Sequence, residues 1–328
     1  PNNPEDALRP QNAPNPDLRW EKTQNVNVGM DLSLWDNAIS LSVDYYYRKG
    51  TDLIGMRMLP LETGYSSTTV NWASMENQGV EVALTTRNIH TKDFTWFTNL
   101  NFGFNDNTVL QETVAENSTT PSREGYPVGA IFAYKTAGLD DEGYPLYLTK
   151  DGQKLSAKDF FQLNNAGASS LSAEEQRNLL TYMGSTDPKV SGGFTNTFKY
   201  QRVTLSVNCI FNFGMHVQTT PSYSLTTYDR GLNTNRDILD RWTPDNPDGK
   251  FPRLINSSDR PEEYSFYDNY PILNNLDIYV KKQNYFRFQS IRLAYDLPTR
   301  WLKPIGVKSA SVSLEGRDLW VIASNYHN

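Results

Sequence analysis

The chain has 328 residues, of which 38% are hydrophobic, 12% aromatic and 21% charged, and its formal net charge is −6. The acidic balance and the lack of a basic block exclude a typical nucleic-acid-binding protein. The single cysteine, Cys209, excludes an internal disulfide, and we expect it to act as a small apolar side chain. No stretch approaches the ~18 apolar residues of a spanning helix. A chain of this composition can therefore cross a membrane only with strands.

One pattern recurs four times along the chain. Two runs of alternating apolar and polar residues are joined by a short connection, and a long loop separates each pair from the next. Period-two alternation is typical of β-strands, and two such runs around a short turn predict a hairpin. The sequence therefore predicts eight antiparallel strands. The paired runs are residues 20–34 and 38–54, 78–90 and 94–106, 190–199 and 202–214, and 284–297 and 307–320.

The first hairpin shows how strongly the alternation fixes the register. Asp44 lies on the polar face of the second run, and a slip of one residue would move it to the apolar face. The apolar-face residues are Val26, Val28, Met30, Leu32 and Leu34 in the first run and Ile39, Leu41, Val43, Tyr45 and Tyr47 in the second.

The last hairpin breaks the alternation once. Phe286 and Phe288 lie on one parity, whereas Ile291 and Leu293 lie on the other. A β-bulge inserts one residue and reverses the parity of the residues after it. We therefore predict a bulge near Ser290.

Two architectures fit such strands. A soluble sandwich, of the kind found in carbohydrate-binding or adhesive modules, has an apolar inner face and a polar outer face. A transmembrane barrel has strands of about ten residues, short turns at one end, long loops at the other and aromatic girdles at both interfaces. The long runs, the Asn-, Ser- and Thr-rich polar faces and the aromatic residues near the strand ends favour the barrel. The end aromatics are Trp20, Trp35, Tyr45–Tyr47, Trp96, Tyr295, Trp301 and Trp320.

Two long loops, residues 107–189 and 215–283, exceed simple connections, and long ordered loops tend to be functional. A capping-box pattern from Ser172 to Glu175 predicts a short helix in the first loop, and residues 235–242 predict another in the second.

The loop aromatics are the candidate binding residues, because such rings stack on sugars or peptides. The same rings also suit packing of the loops against one another. We predict ligand contacts for Tyr126, Tyr134, Tyr144, Tyr223, Tyr228 and Trp242.

No catalytic or metal site is predicted. The three histidines, His90, His216 and His327, form no triad or zinc pattern with other residues. The acidic loops at residues 140–143 and 245–249 carry oxygen ligands that suit calcium but lack the spacing of a calcium loop, so turn chemistry explains them. We therefore expect no enzyme activity and no cofactor.

Six phrases, in the same order along the chain, resemble the SusC/RagA-like branch of TonB-dependent outer-membrane transporters. They are "NPDLRWEKTQNVNVGMDLSLWDNAISLSVDYYYRKGTDLI", "MENQGVEVAL", "GYPVGAIFAYKTAGLDDEGYPLY", "GSTDPKVSGGFTNTFKYQRVTLSV", "DRWTPDNPDGKFPRL" and "YFRFQSIRLAYDLPTRWLKPIGVKSASVSLEGRDLW". The resemblance implies an all-β, antiparallel transmembrane barrel segment with long outer loops, about eight strands of roughly 22.

On this resemblance residues 1–328 are the C-terminal portion of the barrel, and the plug, the earlier strands and the last strand are expected elsewhere in a longer precursor. The resemblance further implies TonB-dependent import of oligosaccharides or peptides through the outer membrane of a member of the Bacteroidota. The implied partners are a SusD-like surface lipoprotein that closes over the outer loops, TonB acting through the plug, and outer-membrane lipid.

Overall fold

The structure is a computed structural model that describes residues 12–59, 61–65, 67–114, 118–156, 159, 173–219, 233, 236–254 and 275–324. Strands dominate these residues. The long strands are β2 (Lys22–Leu34), β3 (Ile39–Met58), β4 (Ser67–His90), β5 (Phe94–Glu112), β11 (Val190–Tyr200), β12 (Val203–Phe213), β15 (Tyr285–Asp296) and β16 (Ser311–Ala323). The short strands are β1 (Asn12–Ala13), β6 (Ala130–Tyr134), β7 (Thr136–Leu139), β8 (Pro145–Leu148), β9 (Lys154–Leu155), β10 (Leu180–Ser185), β13 (His216–Gln218) and β14 (Val280–Lys282).

The helices in the described part of the chain are short. The α-helices whose bounds are described are α1 (Ala173–Leu179) and α2 (Thr299–Leu302). The 3-10 turns lie at Leu61–Thr63, Arg236–Asp240, Asp277–Tyr279 and Lys303–Ile305. Among the described residues, no helix has the length and apolar character needed to cross a membrane.

The eight long strands form one sheet in the order β2-β3-β4-β5-β11-β12-β15-β16, and every neighbouring pair is antiparallel. Strands adjacent in the sequence are therefore adjacent in space, which is the topology of an up-and-down barrel wall. The eight predicted strands are confirmed. At the end of the sheet that carries the long loops, the strands run further than predicted. β4 begins at residue 67 rather than 78, and β5 ends at residue 112 rather than 106.

The register places like faces side by side. Val43 pairs with Met30 on β2 and with Val82 on β4, and Leu205 pairs with Leu293 on β15. These apolar rows are open rather than covered, because Val28 and Leu314 are 63% and 77% exposed. In a sandwich a second sheet would bury such rows. The sandwich alternative is therefore excluded, and the exposed rows form the face that a barrel presents to lipid.

The predicted bulge is present in β15. Asn208 pairs with Ser290 and Cys209 pairs with Phe288, so Gln289 is the extra residue. The bulge keeps Phe286 and Phe288 on the apolar face with Leu293, and Phe288 stacks on Trp320 of β16 with ring centroids 5.7 Å apart.

The short turns lie at one end of the sheet and the loops at the other. Trp35, Asp36 and Asn37 all adopt positive φ between β2 and β3, a conformation that Asp and Asn tolerate well. The predicted short helix in the first loop is α1, and residues 236–240 form a 3-10 turn where the second helix was predicted.

The outer loops have a hydrophobic core of their own, separate from the sheet faces. β6 pairs with β10, and β7, β8 and β9 form a small three-stranded sheet beside them. Their shared buried residues are Tyr134, Tyr144, Tyr147, Leu155, Leu180, Leu276 and Tyr279. These loops are therefore packed structures rather than loose connections.

Candidate solute-facing surface

The polar face of β2–β5 carries a cavity of about 580 Å³. Alternation sets its chemistry, because every lining residue comes from the face opposite the apolar rows. The lining residues are Asn27, Asp44, Tyr46, Arg48, Asn77, Glu81 and Asn105.

Two carboxylates face each other across the strands at the centre of this surface. Asp44 of β3 pairs directly with Glu81 of β4, and glycines flank the pair, with Gly29 beside Asp44 and Gly103 beside Glu81. Like charges directly opposite each other destabilise a sheet. Among the described residues, neither carboxylate forms an ion pair within 4.0 Å. The row is therefore an acidic spot with a glycine on each side.

Tyr46 lies one row nearer the outer loops and spans three strands. Its ring passes over Gly79 of β4, where a Cβ would collide with it. Its hydroxyl donates a hydrogen bond to Asn105 Oδ1 on β5 at 2.8 Å. Asp44 uses Gly29 of β2 in the same way, with its carboxylate in the space of the missing side chain. Glycine at these two positions lets polar side chains lie across the wall.

Amide side chains extend the polar surface upward. Arg48 Nε donates to Asn25 Oδ1 at 3.1 Å, and Asn107 Nδ2 donates to Asn77 Oδ1 at 2.9 Å. Asn107 Oδ1 also accepts a hydrogen bond from the backbone of Val128 at 2.7 Å, which ties the first outer loop to the sheet. The surface therefore presents amide, carboxylate, guanidinium and phenol groups together. Such a surface suits contact with a polar ligand or with the hydrated surface of a protein domain.

The predicted loop aromatics lie in different surroundings. Tyr134 and Tyr144 are each 8% exposed and belong to the loop core, so in this structure they pack the loops. Tyr126 is 38% exposed and stacks on Tyr182, with centroids 4.6 Å apart. Tyr223 and Tyr228 lie outside the described residues.

The ring of Trp242 packs against the side chain of Arg253 and is only partly exposed. The Arg253 guanidinium lies 5.3 Å from the ring centroids of both Trp242 and Tyr144. The same guanidinium donates to the Glu142 carbonyl at 3.1 Å. Ligand contact by the six predicted aromatics stays a prediction, and Tyr126 and Trp242 are the described members that are not fully buried.

The acidic loops behave as turns in the described part of the chain. Asp140 Oδ1 accepts hydrogen bonds from the backbone of Glu142 and Tyr144 at 3.0 and 2.8 Å. No group of three or more His, Cys, Asp or Glu residues suited to a metal ion occurs among the residues that the structure describes.

The sequence patterns missed the Asp44–Glu81 row. Alternation places both residues on the polar face, but only the strand register shows that they are opposite each other. Gly29 and Gly79 were the available signal, since a glycine inside a strand often marks a close approach by another group.

An outward apolar wall, a polar inner surface and a packed outer loop region together define an outer-membrane β-barrel protein. Comparison with known proteins agrees. A family model described as "TonB dependent receptor-like, beta-barrel" matches residues 4–144. TonB-dependent receptor P3 of Formosa agariphila is 26% identical over 93% of this chain and 30% of its own length.

Two further proteins are similar to the chain. TonB-dependent receptor SusC of Bacteroides thetaiotaomicron is 36% identical over 150 residues, which cover 40% of this chain and 15% of SusC. The solved structure of the RagAB peptide transporter matches 95% of this chain and 33% of its own with a TM-score of 0.72 at 23% identity, a likeness that shows the fold. The chain is thus similar in sequence to SusC-like TonB-dependent receptors and has the fold of part of such a barrel, and it spans about a third of the length of the relatives that it matches along most of its course.

Proposed function

We propose that the chain forms wall, solute cavity and outer loops of a TonB-dependent importer that carries oligosaccharides or peptides across the outer membrane. The observation that carries this proposal is the two-faced sheet. One face offers exposed apolar rows to lipid, and the other offers the polar cavity around Asp44 and Tyr46 to a hydrated interior.

The partners are proposals on the same footing. A SusD-like lipoprotein docks on the outer loops, whose separate core around Tyr147 and Leu276 supports a firm docking surface. TonB acts through a plug, and the plug, the earlier strands and the last strand lie in other parts of the whole protein. Tyr126 and Trp242 are the described loop aromatics proposed to contact solute.

Uptake by the whole protein in its native membrane tests the import proposal. Cells that lack the gene should lose uptake of labelled substrates from one class, either oligosaccharides or peptides, and loss of TonB should abolish the same uptake. Uptake of both panels unchanged by the gene deletion would contradict the proposal.

A matched pair of variants tests the cavity. Tyr46→Ala removes a polar-face ring, whereas Tyr45→Ala removes the neighbouring ring on the apolar face. With equal amounts of folded protein in the membrane, Tyr46→Ala should raise the KM for uptake about threefold or more, and Tyr45→Ala should leave it unchanged. The opposite ranking would mean that the solute path lies on the face that carries Tyr45, and it would contradict the proposed cavity.

A further inference from the structure

The connection between β15 and β16 differs from the other short-end connections. The turns after β2, β4 and β11 join their strands directly. Residues 297–310 instead form a corner that contains α2 and the 3-10 turn Lys303–Ile305. We refer to residues 297–310 as the corner segment.

The corner segment exposes apolar side chains. Trp301 is 56% and Ile305 70% exposed, and Val307 is also exposed. Leu302 turns inward, at 5% exposure. Open apolar side chains beside a buried anchor suit an element that lies in a membrane interface.

The charge of the corner segment has one sign. Arg300, Lys303 and Lys308 are all exposed, and no Asp or Glu occurs between residues 297 and 310. In the described part of the chain, none of these three forms an ion pair within 4.0 Å. The Arg300 guanidinium lies 5.9 Å from the Trp301 ring centroid, so a cation and the largest open ring share one surface.

The corner segment continues the lipid-facing wall. The Leu297 amide donates to the Ala310 carbonyl at 2.9 Å, which closes the base of the hairpin. Immediately above, Tyr295 pairs with Val312 and Leu293 pairs with Leu314, all on the open apolar face. The corner therefore lies directly beyond the short-turn end of the apolar face.

We propose that the corner segment is a binding site for anionic phospholipid of the periplasmic leaflet. Trp301 and Ile305 insert at the edge of the hydrocarbon, and Arg300, Lys303 and Lys308 contact the headgroup phosphates. Basic side chains next to an apolar anchor reach headgroups in this way, and each adds to the attraction of an anionic surface. The proposal depends on the orientation of the barrel and not on import.

The test uses the full-length protein in neutral detergent with added phosphatidylglycerol, phosphatidylcholine or inorganic phosphate. The variant is the triple change Arg300→Gln, Lys303→Gln and Lys308→Gln. The matched control, Lys150→Gln, Lys154→Gln and Lys250→Gln, removes the same charge from exposed outer-loop positions. Bound lipid is counted by native mass spectrometry, and heat-modifiability on gels shows that each variant is folded.

Phosphatidylglycerol should bind the wild type and the outer-loop control equally, and the corner variant about tenfold more weakly. Phosphatidylcholine and inorganic phosphate should not distinguish the three proteins. Equal phosphatidylglycerol binding by the corner variant would overturn the proposal. Equal loss of both lipids would do so as well, because it would mean that the corner packs against another part of the whole protein. If the corner variant fails to fold, Trp301→Ala alone should still weaken phosphatidylglycerol binding, and unchanged binding would count against the site.

Discussion

Two glycines on the polar face differ in what fills the space of their missing side chains. At Gly29 a Cβ would meet the end of the Asp44 side chain, which can turn away. At Gly79 it would meet the backbone carbonyl of Phe104 as well as the Tyr46 ring. Backbone in a paired strand cannot move without breaking the ladder, so the two sites should respond differently to the same change.

Gly79→Ala should therefore destabilise the barrel by about 1–3 kcal/mol, whereas Gly29→Ala should cost less than about 1 kcal/mol. Thermal unfolding of the full-length protein in detergent, followed by heat-modifiability, checks the difference. Equal costs would show that the contact with the β5 backbone does not decide stability at Gly79.

His216 makes the stability of its part of the outer loops depend on pH. Its ring packs against Gly184, and burial, followed by the nearby charge of Lys282, lowers the pKa of His216. The unfolded chain therefore binds a proton at His216 more readily than the folded loop does. Stability of this region should therefore fall as the pH drops from neutral through about 6.5, and level off once the pH is below the folded pKa.

Hydrogen exchange of β13 and β14 at pH 7.5 and 5.5, corrected for the intrinsic rates, measures this step. Lys282→Gln removes the repelling charge, so it should reduce the pH effect, and His216→Asn should abolish it. A pH effect that survives His216→Asn would assign the step to another group.

At the scale of single elements, the two faces of β12 should tolerate charge differently. Val207 pairs with Ile291 on the apolar face, and Asn208 pairs with Thr195 and Ser290 on the polar face. Val207→Arg should cost about 2–4 kcal/mol if the site is near the bilayer midplane, and Asn208→Arg much less. Equilibrium unfolding in lipid vesicles compares the two, and the reverse order would mean that the faces are wrongly assigned.

The bulge in β15 sets the orientation of its upper half. In a regular ladder that kept all residues, the parity of Ile291 and Leu293 would put Gln289 on the apolar face and Phe288 on the polar face. With the bulge, Phe288→Arg places a charge on the apolar face and should cost about 2 kcal/mol or more by the same unfolding measurement, and Gln289→Arg should cost much less. The reverse order would show that the bulge does not hold the phase of β15.

Across the whole molecule, the sequence predicted what the membrane itself imposes. Alternation located all eight strands, and the parity change near Ser290 located the bulge. Both signals exist because, within the membrane, a residue on the wrong face would meet lipid instead of water or water instead of lipid. Above the membrane both faces are wet and this constraint ends, which is why the upper part of β4, residues 67–77, was missed. The helix in the corner segment was missed because its apolar residues follow no strand period.

The functional surface was less predictable than the fold. The pairing of Asp44 with Glu81 depends on the register between strands, and the burial of Tyr134 and Tyr144 depends on contacts between loops far apart in sequence. Residue type alone suggested stacking platforms, but an aromatic ring serves packing and binding equally well. Only the three-dimensional arrangement separates the two roles.

The most direct measurement of the two-solvent sheet is spin-label accessibility along β2. Single cysteines are placed from residue 25 to residue 33 of the full-length protein in lipid vesicles, with Cys209 replaced by Ala. Collision with oxygen should peak at residues 26, 28, 30 and 32, and collision with a water-soluble nickel complex should peak at the residues between them. In-phase profiles, profiles without a period of two, or nickel maxima at the even positions would contradict the assignment of lipid and water to the two faces.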